Sequence, residues 1–157
     1  ACRLALQTII ISEGIPFIHA GQEFFKTKKG IENSYNSKDP INKIDYKRRD
    51  KYINNVEGIK DLISIRKEYP VFRLDNATDI RSNLHLLDGL CDSHMVGILY
   101  EDINYRLYVL VKNDYELRKI PLEAEMIFDG RKKCAIIKAE HKLEAPGVYI
   151  LRKEFKK

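Results

Sequence analysis

A carboxylate and an imidazole lie close together near the start of the chain. The run Ile15–Ala20 is almost entirely apolar; His19 lies inside it and Glu23 follows it. Within an apolar strand, His19 is interpreted as a core histidine whose ring nitrogens are bonded, rather than as a catalytic base. Glu23 could be a catalytic acid, but a buried structural acid bonded to loop backbone is the favoured interpretation. Both residues are therefore expected to have structural roles near a site.

The polar segment that follows, residues 26–50, carries the candidate binding residues. It is rich in Lys, Asn, Asp and Ser and shows no sustained period. At roughly 25 residues it is longer than most loops, and loops of that length are usually functional or disordered. Tyrosines within it favour an ordered surface over a solvated linker. The side chains that could either contact a ligand or serve the loop itself are Tyr35, Asn36, Asp39 and Asn42.

The cysteines give no sign of a metal or redox centre. Cys2, Cys91 and Cys134 are odd in number and form no CxxC pair. This usage fits a reducing compartment such as the cytoplasm, or incidental thiols, better than a disulfide framework or a zinc site. No Asp-rich ligand run is present either, so no cofactor is expected. The chain begins at Ala1 without methionine and inside an amphipathic segment, which indicates a fragment whose targeting signal would be missing.

Composition excludes several classes of function. Of the 157 residues, 44% are hydrophobic and 32% charged, which is ordinary for a globular protein. The net charge is +5, but the basic clusters lie beside acidic residues along the chain, and a nucleic-acid-binding stripe would be more concentrated. No apolar run reaches the ~20 residues that span a bilayer. We therefore expect neither a nucleic-acid nor a membrane partner.

The first part of the chain has the pattern of an α/β unit. Apolar spacing predicts helices over residues 3–13 and 51–69, the first ending near Gly14 and the second stopped by Pro70. Between them, Ile15–Ala20 is bounded by glycines, which predicts a strand buried on both faces as in a parallel sheet. One such unit cannot close a sheet by itself.

After Val71 the pattern changes to short alternating runs separated by turn signals such as Asp88-Gly89 and Asp129-Gly130. Six or seven strands at roughly ten-residue spacing predict an antiparallel β-sandwich. The change in pattern divides the chain into a predicted domain at residues 1–72 and a second at residues 73–157. The predicted strand runs are 84–87, 95–99, 105–111, 119–122, 126–128, 135–138 and 147–151.

The residues from Gly14 to Gly30, followed by Asn33–Ser37, closely resemble the eighth barrel strand and following loop of type I pullulanases, in glycoside hydrolase family 13. The short GxPxxxxGxE core recurs across the wider α-amylase family, and the TKKG…NSYNS extension is what points to pullulanases. The chain departs from the family at Tyr46, where tryptophan is expected. Further similar stretches are residues 39–46, 62–67, 69–73 and 145–151.

The resemblance implies an α+β fragment: the last βα unit of a TIM barrel, followed by an all-β antiparallel sandwich. The parent would cleave α-1,6-glucosidic branch linkages in an α-glucan, with an Asp nucleophile, a Glu acid/base and a further Asp after the fourth, fifth and seventh strands. Those acids would precede Ala1, so no catalytic residue is expected in this chain. Asp39 is the expected substrate contact, with Asn36, Asn42 and Tyr35 as further candidates.

Two consequences and two alternatives accompany this hypothesis. The fragment alone should be inactive, and its exposed barrel faces at residues 3–20 and 51–66 should favour self-association. One alternative is that the sandwich is a non-catalytic glucan-binding or stabilising module. The other is a complete small α+β protein with an unrelated function, which would require the match over residues 14–73 to be accidental.

Overall fold

The computed structural model describes residues 2–155, with most of the helices in the first half of the chain. The helices are α1 (Cys2–Ile11), α2 (Asp39–Asn42), α3 (Tyr46–Lys51), α4 (Ile53–Glu68) and α5 (Ala77–Asn83). Helices α1 and α4 confirm the two that apolar spacing predicts. The short α2 and α3 interrupt the segment predicted as a continuous loop, and no sequence pattern had indicated α5.

Eight strands follow, and all strand pairs are antiparallel. Each of the seven predicted runs overlaps a strand; the additional one is His141–Leu143. The strands are β1 (Leu84–Leu86), β2 (Met95–Glu101), β3 (Tyr105–Lys112), β4 (Arg118–Ile120), β5 (Ala124–Asp129), β6 (Lys133–Lys138), β7 (His141–Leu143) and β8 (Gly147–Glu154).

The strands form two unequal sheets. One has six strands in the order β1-β2-β3-β8-β5-β6, and the other is the two-stranded pair β4-β7. The central β3–β8 ladder is in register from Tyr105↔Glu154 to Lys112↔Gly147. The antiparallel sheet-rich region predicted from the turn spacing is confirmed, with a second sheet much smaller than the first.

Both faces of the large sheet are covered, by different partners. On one face, Leu6 and Ile10 of α1 and Leu62 and Ile65 of α4 pack in a single buried cluster with sheet residues such as Val109. On the other face, β4 and β7 contribute to a second cluster. The first cluster joins residues from both sides of the predicted boundary at 72/73, so the helices and the sheet share one core.

Helix α4 approaches the β5–β6 turn so closely that it requires glycine. A Cβ atom at Gly58 would collide with the backbone carbonyl oxygen of Arg131. The contact is extended by two polar links to β6: the Lys133 amide donates to the Asp61 carboxylate at 2.8 Å, and the Lys133 ammonium pairs with Glu68 at 2.7 Å. This face of α4 is therefore fixed to the sheet.

The C-terminal end of α1 is capped by side chains from distant parts of the chain. The buried Arg66 guanidinium donates to the carbonyl oxygens of Ile10 (2.9 Å), Ser12 (2.7 Å) and Gly14 (2.6 Å). The Ile10 carbonyl is one that the helix end leaves without an intrahelical partner, and those of Ser12 and Gly14 belong to the chain just beyond α1. The Tyr100 hydroxyl donates to the Ile11 carbonyl at 3.2 Å.

Burial also affects the charged groups at this helix end. Desolvation lowers the pKa of Arg66, and the nearby Glu13 carboxylate opposes that change. Desolvation also raises the pKa of Glu13. Two influences oppose that rise: the Leu74 amide, which donates to the Glu13 carboxylate at 3.1 Å, and the positive charge of Arg66. The chain leaving α1 is thus held by an ionic and hydrogen-bonded cluster.

The predicted strand at Ile15–Ala20 is not formed, and that expectation is wrong for the chain as described. The segment has no regular secondary structure, and none of the described strands pairs with it. Ile15 is 97% exposed and Phe17 84% exposed, whereas Ile18 packs partly against the helical core. The expected burial on both faces is missing because no neighbouring parallel strand lies beside the segment.

Replacing Arg66 with Met should lower the free energy of unfolding by about 2–4 kcal/mol, because three carbonyl oxygens lose a charged donor in a buried setting. Urea denaturation at neutral pH measures the change. Arg81→Met, at an exposed position of α5, is the control and should cost less than ~0.5 kcal/mol. A loss at Arg66 no larger than that of the control would contradict the role assigned to the guanidinium.

Candidate functional site

The polar segment begins at a tight turn after Ala20. Gly21 has a φ of 92°, in the left-handed region, and a Cβ there would crowd Lys26 and Phe24. The Lys26 amide donates to the Gly21 carbonyl at 2.8 Å, and the Gly21 amide donates to the Glu23 carboxylate at 3.1 Å. The turn therefore redirects the chain through a 3-10 helix at Gln22–Phe24.

Two side chains on α3 and α4 hold this turn in place. The Asn55 amide donates to the Glu23 carbonyl at 2.5 Å, and the Arg48 guanidinium donates to the Phe25 carbonyl at 2.8 Å. The Phe25 ring meets Tyr52 edge-to-face, with centroids 5.0 Å apart. Asp45 starts α3 by accepting from the Lys47 and Arg48 amides, which orients the Arg48 side chain toward the turn.

Asn42 organises the rest of the segment. Its amide group donates to the carbonyls of Ser34 (2.9 Å) and Ser37 (2.7 Å), and its side-chain oxygen accepts from the Lys28 ammonium at 2.6 Å. The Lys26 ammonium binds the Asn42 backbone carbonyl at 3.2 Å. All parts of this carboxamide are thus engaged within the loop.

Three other predicted ligand contacts point outward. Tyr35 is 94% exposed, and Asn36 and Asp39 are also exposed. The Tyr35 backbone amide donates to the Asn33 side chain at 3.2 Å, so the ring is presented from a constrained turn. An open tyrosine face, an amide and a carboxylate on one braced loop are groups that can bind a polyhydroxylated ligand.

The two residues expected to be structural have different environments. Glu23 is half-buried, and its carboxylate accepts a hydrogen bond from the Gly21 backbone amide. His19 is exposed, so the expectation of a core histidine is wrong. This prediction failed for the same reason as the strand prediction for Ile15–Ala20. Because no described strand lies beside the segment, the imidazole of His19 remains exposed.

Two concavities of the described chain lie apart from the four candidate ligand contacts. A cleft of about 1430 Å³ separates α1 from the loops around His94 and Asn113, and Phe25, Arg48 and Tyr52 line one side of it. A smaller groove of about 640 Å³ lies between β5–β6 and the β7–β8 turn. Neither includes Tyr35, Asn36, Asp39 or Asn42, so the candidate site is an open surface.

The described residues contain no group of three or more His, Cys, Asp or Glu side chains arranged to hold a metal ion. Burial raises the pKa of the Cys134 thiol to about 11, which leaves that sulfur protonated and unreactive at neutral pH. None of the helices that the structure describes is long and apolar enough to cross a bilayer.

The sequence did not reveal the anchoring residues Lys28, Arg48 and Asn55. Each bonds to a backbone or side-chain group that lies 14 to 32 positions away in the chain. Pairs so far apart in the chain leave no periodic pattern in the sequence. The Asp45 cap could have been found, because an Asp immediately before a run of helix formers is a known helix-start signal.

Comparison with known proteins gives a consistent set of relatives, although no family model matches the chain. Pullulanase of Bacillus subtilis (strain 168) is 46% identical over 112 residues, which are 71% of this chain and 14% of that protein. Pullulanase 1, chloroplastic, of Arabidopsis thaliana is 27% identical over 115 residues, covering 52% of this chain and 12% of the relative. The chain thus spans a small part of these proteins.

Solved structures agree over nearly the whole chain. A pullulanase from Anoxybacillus sp. LM18-11, complexed with maltotetraose, has a TM-score of 0.87 and 28% identity, and covers 97% of this chain and 23% of its own. These relatives and neighbours define the class: the chain is related to pullulanases, which are glycoside hydrolases.

The relationship is more specifically to type I pullulanases. The structure of pullulanase type I from Bacillus subtilis str. 168, complexed with maltose, has a TM-score of 0.85 and 32% identity, and covers 98% of this chain and 23% of its own. The resemblance stated from the motifs around Gly14–Gly30 is confirmed.

Asn42→Asp should loosen the segment, because a carboxylate facing the carbonyls of Ser34 and Ser37 replaces two donated hydrogen bonds with repulsion. A loss of about 1.5–3 kcal/mol of local stability raises proteolysis between residues 28 and 42 roughly tenfold or more, if cleavage follows the open population. Limited proteolysis read by mass spectrometry measures the rate. Asn36→Asp, an exposed isosteric change, is the control, and equal cleavage of the two variants would contradict the role of Asn42.

Proposed function

We propose that this chain forms one wall of the glucan-binding cleft of a pullulanase-type debranching hydrolase. It would supply the last βα unit of a TIM barrel, within residues 1–72, and the C-terminal antiparallel domain, residues 73–157. The catalytic carboxylates would belong to another part of the enzyme. The substrate would be an α-glucan with α-1,6 branch linkages, as in pullulan, glycogen or starch.

The observation that carries the proposal is the alternating exposure of Ile15–Ile18. Ile15 and Phe17 are exposed, whereas Pro16 and Ile18 are partly buried. Exposure with a period of two is the property of a strand, whose successive side chains point to opposite faces. Such a segment, following α1 and leading through a braced loop to α4, has the form of a barrel strand that lacks its neighbours in the sheet.

The position of the polar residues supports the same assignment. In TIM barrels the active site lies at the C-terminal ends of the strands and is built from the loops that follow them. Tyr35, Asn36 and Asp39 lie on the loop that follows Ile15–Ala20. Two pullulanase neighbours are complexed with maltotetraose and maltose, which fits a glucan as the ligand of this wall.

Roles within the wall follow from the hydrogen bonds. Asp39 and Asn36 have exposed polar groups that can accept from or donate to sugar hydroxyls, and the open face of Tyr35 can pack on the C–H surface of a glucose ring. Asn42, with its carboxamide engaged, would position Asp39 rather than contact the sugar. Glu23 would support the turn.

The chain by itself should release no reducing ends from pullulan, because a retaining glycosidase needs two carboxyl groups about 5–5.5 Å apart in its active site. Incubation with pullulan, beside a full-length type I pullulanase at equal molarity, tests this. Turnover within tenfold of the full-length enzyme would contradict the proposal. Titration calorimetry with maltooligosaccharides addresses the alternative of an independent glucan-binding module, since a module binds when isolated and a broken cleft wall should not.

Measuring the contribution of Asp39 to catalysis requires an active enzyme, in which this chain is joined to the upstream barrel portion of a pullulanase. In that enzyme Asp39→Ala should lower kcat/KM on pullulan by tenfold or more, because a sugar hydroxyl loses a charged partner worth about 1.5–3 kcal/mol. Asp75→Ala, an exposed acid after α4, is the matched control. Equal activity of the two variants would remove Asp39 from the substrate site.

A further inference from the structure

The polar segment that holds the candidate site carries a large positive charge. Residues 26–51 contain nine Lys and Arg against four Asp and Glu, a net charge of +5 that equals the net charge of the whole chain. The remaining residues hold nineteen cations and nineteen anions. Basic residues occur throughout the sequence, and shorter runs such as residues 131–138 also carry more cations than acids, but outside residues 26–51 the two kinds of charge balance in total.

Most of these cations are exposed, and most of the exposed ones have no carboxylate partner among the described residues. Six of the nine are exposed, and of these only Arg49 has a carboxylate within 4.0 Å, that of Asp50, in the part of the chain that the structure describes. In the β-region, the half-buried Arg106, Arg118 and Arg152 and the buried Lys112 form ion pairs, whereas exposed lysines such as Lys119 are unpaired among the described residues. The six exposed cations, here named the cationic surface, are Lys29, Lys38, Lys43, Lys47, Arg49 and Lys51.

The cationic surface flanks the proposed sugar contact. Lys38 directly precedes Asp39, and the Lys43 amide donates to the Asp39 carbonyl at 2.8 Å, which places Lys43 one helical turn away. Both side chains are exposed, and neither ammonium has a carboxylate within 4.0 Å among the described residues. A ligand that reaches Asp39 therefore meets unpaired ammonium groups on either side.

A neutral glucan offers nothing that requires this charge. Sugar hydroxyls are bound by amides, carboxylates and aromatic faces, whereas clustered lysines repel one another unless an anion lies between them. Lys is a compact point charge and a common phosphate-binding residue. A phosphate monoester carries close to two negative charges at neutral pH, since its second pKa is about 6.

We propose that the cationic surface binds phosphate monoesters on the α-glucan, so that this wall favours phosphorylated over unmodified glucan chains. The proposal rests on the proposed function for its glucan component. The phosphate component follows from the distribution of charge alone.

The aromatic residues favour this ligand over nucleic acid. Binding of a single strand requires several open rings on which successive bases can stack. Here the Arg49 guanidinium lies 5.9 Å from the centre of the Tyr46 ring, and Arg48 and Lys51 lie 5.0 and 5.6 Å from that of Tyr52. Only Tyr35 among these rings is almost fully exposed, which suits one sugar better than a row of bases.

The test compares two forms of one polymer. Chemically phosphorylated amylopectin and the same batch after phosphatase treatment are used as ligands for the 157-residue chain in affinity electrophoresis. We expect at least tenfold tighter binding of the phosphorylated form at about 20 mM salt, and loss of that preference near 0.5 M salt, where charges are screened over a few Å. The preference should also weaken from pH 7 to pH 5, as the phosphate loses a charge while the lysines keep theirs.

Matched variants locate the effect. Lys38→Gln, Lys43→Gln and Lys47→Gln together should abolish the preference, since all three side chains are exposed and without an ion pair among the described residues. The control triple Lys119→Gln, Lys138→Gln and Lys142→Gln removes the same charge from exposed positions on β4, β6 and β7 and should retain it. A preference that survives the first triple, or is lost equally in both, overturns the proposal.

Other outcomes test the phosphate part and the glucan part of the proposal separately. Equal binding of the two polymers, or binding of neither, overturns phosphate recognition and leaves the pullulan assays to judge the enzyme. Equal or tighter binding of a linear polyphosphate or of a DNA duplex shows a general anion surface and overturns the glucan-specific proposal. A phosphate preference lost only in the first triple supports it, even if the debranching assay fails and the enzyme assignment has to be withdrawn.

Discussion

The arrangement of the first half of the chain depends on a single guanidinium. Arg66 projects from α4 and binds three carbonyl oxygens that end α1 and begin the next segment, at Ile10, Ser12 and Gly14. A helix end buried without such partners would leave its carbonyls unsatisfied at a cost of about 1–3 kcal/mol each. By satisfying them from α4, Arg66 fixes the direction in which the chain leaves α1 and therefore the place where Ile15 starts.

The loop beyond that point is braced in the same way, by side chains binding backbone carbonyls. Asn55 and Arg48 hold the turn at Glu23 and Phe25, and Asn42 closes the loop on Ser34 and Ser37. The loop is therefore ordered without a sheet to support it. The loop presents an exposed tyrosine, an amide and a carboxylate together with the cationic surface.

Much of the fold could be predicted from the sequence, because it depends on local patterns. Helices α1 and α4 follow from apolar spacing, and seven of the eight strands follow from alternation and turn residues. The three-residue β7 is too short for such a pattern. The prediction for Ile15–Ala20 failed for a different reason: composition shows that a segment suits a buried strand, but pairing requires neighbouring strands, and none of the described residues supplies them.

The sequence indicated where a candidate site would lie but not the hydrogen bonds that hold it. Loop length and the presence of Tyr35, Asn36 and Asp39 indicated a binding surface. The hydrogen bonds of the Asn42 side chain, with the Lys28 ammonium and the Ser34 carbonyl, follow from no rule of sequence spacing. The exposure of His19 could not be predicted either. Like the exposure of Phe17, it depends on whether a neighbouring strand covers the segment.

Hydrogen exchange at the amides of Ile15, Phe17 and Ile18 tests most directly whether this segment is a barrel strand. In the chain alone these amides have no partner strand and should exchange within seconds, as unprotected backbone does. In the same chain joined to an upstream pullulanase barrel portion, they should be protected at least a hundredfold, while the Leu107 amide in the sheet is protected in both proteins. Protection in the isolated chain, or none in the joined protein with Leu107 unchanged, would contradict the account.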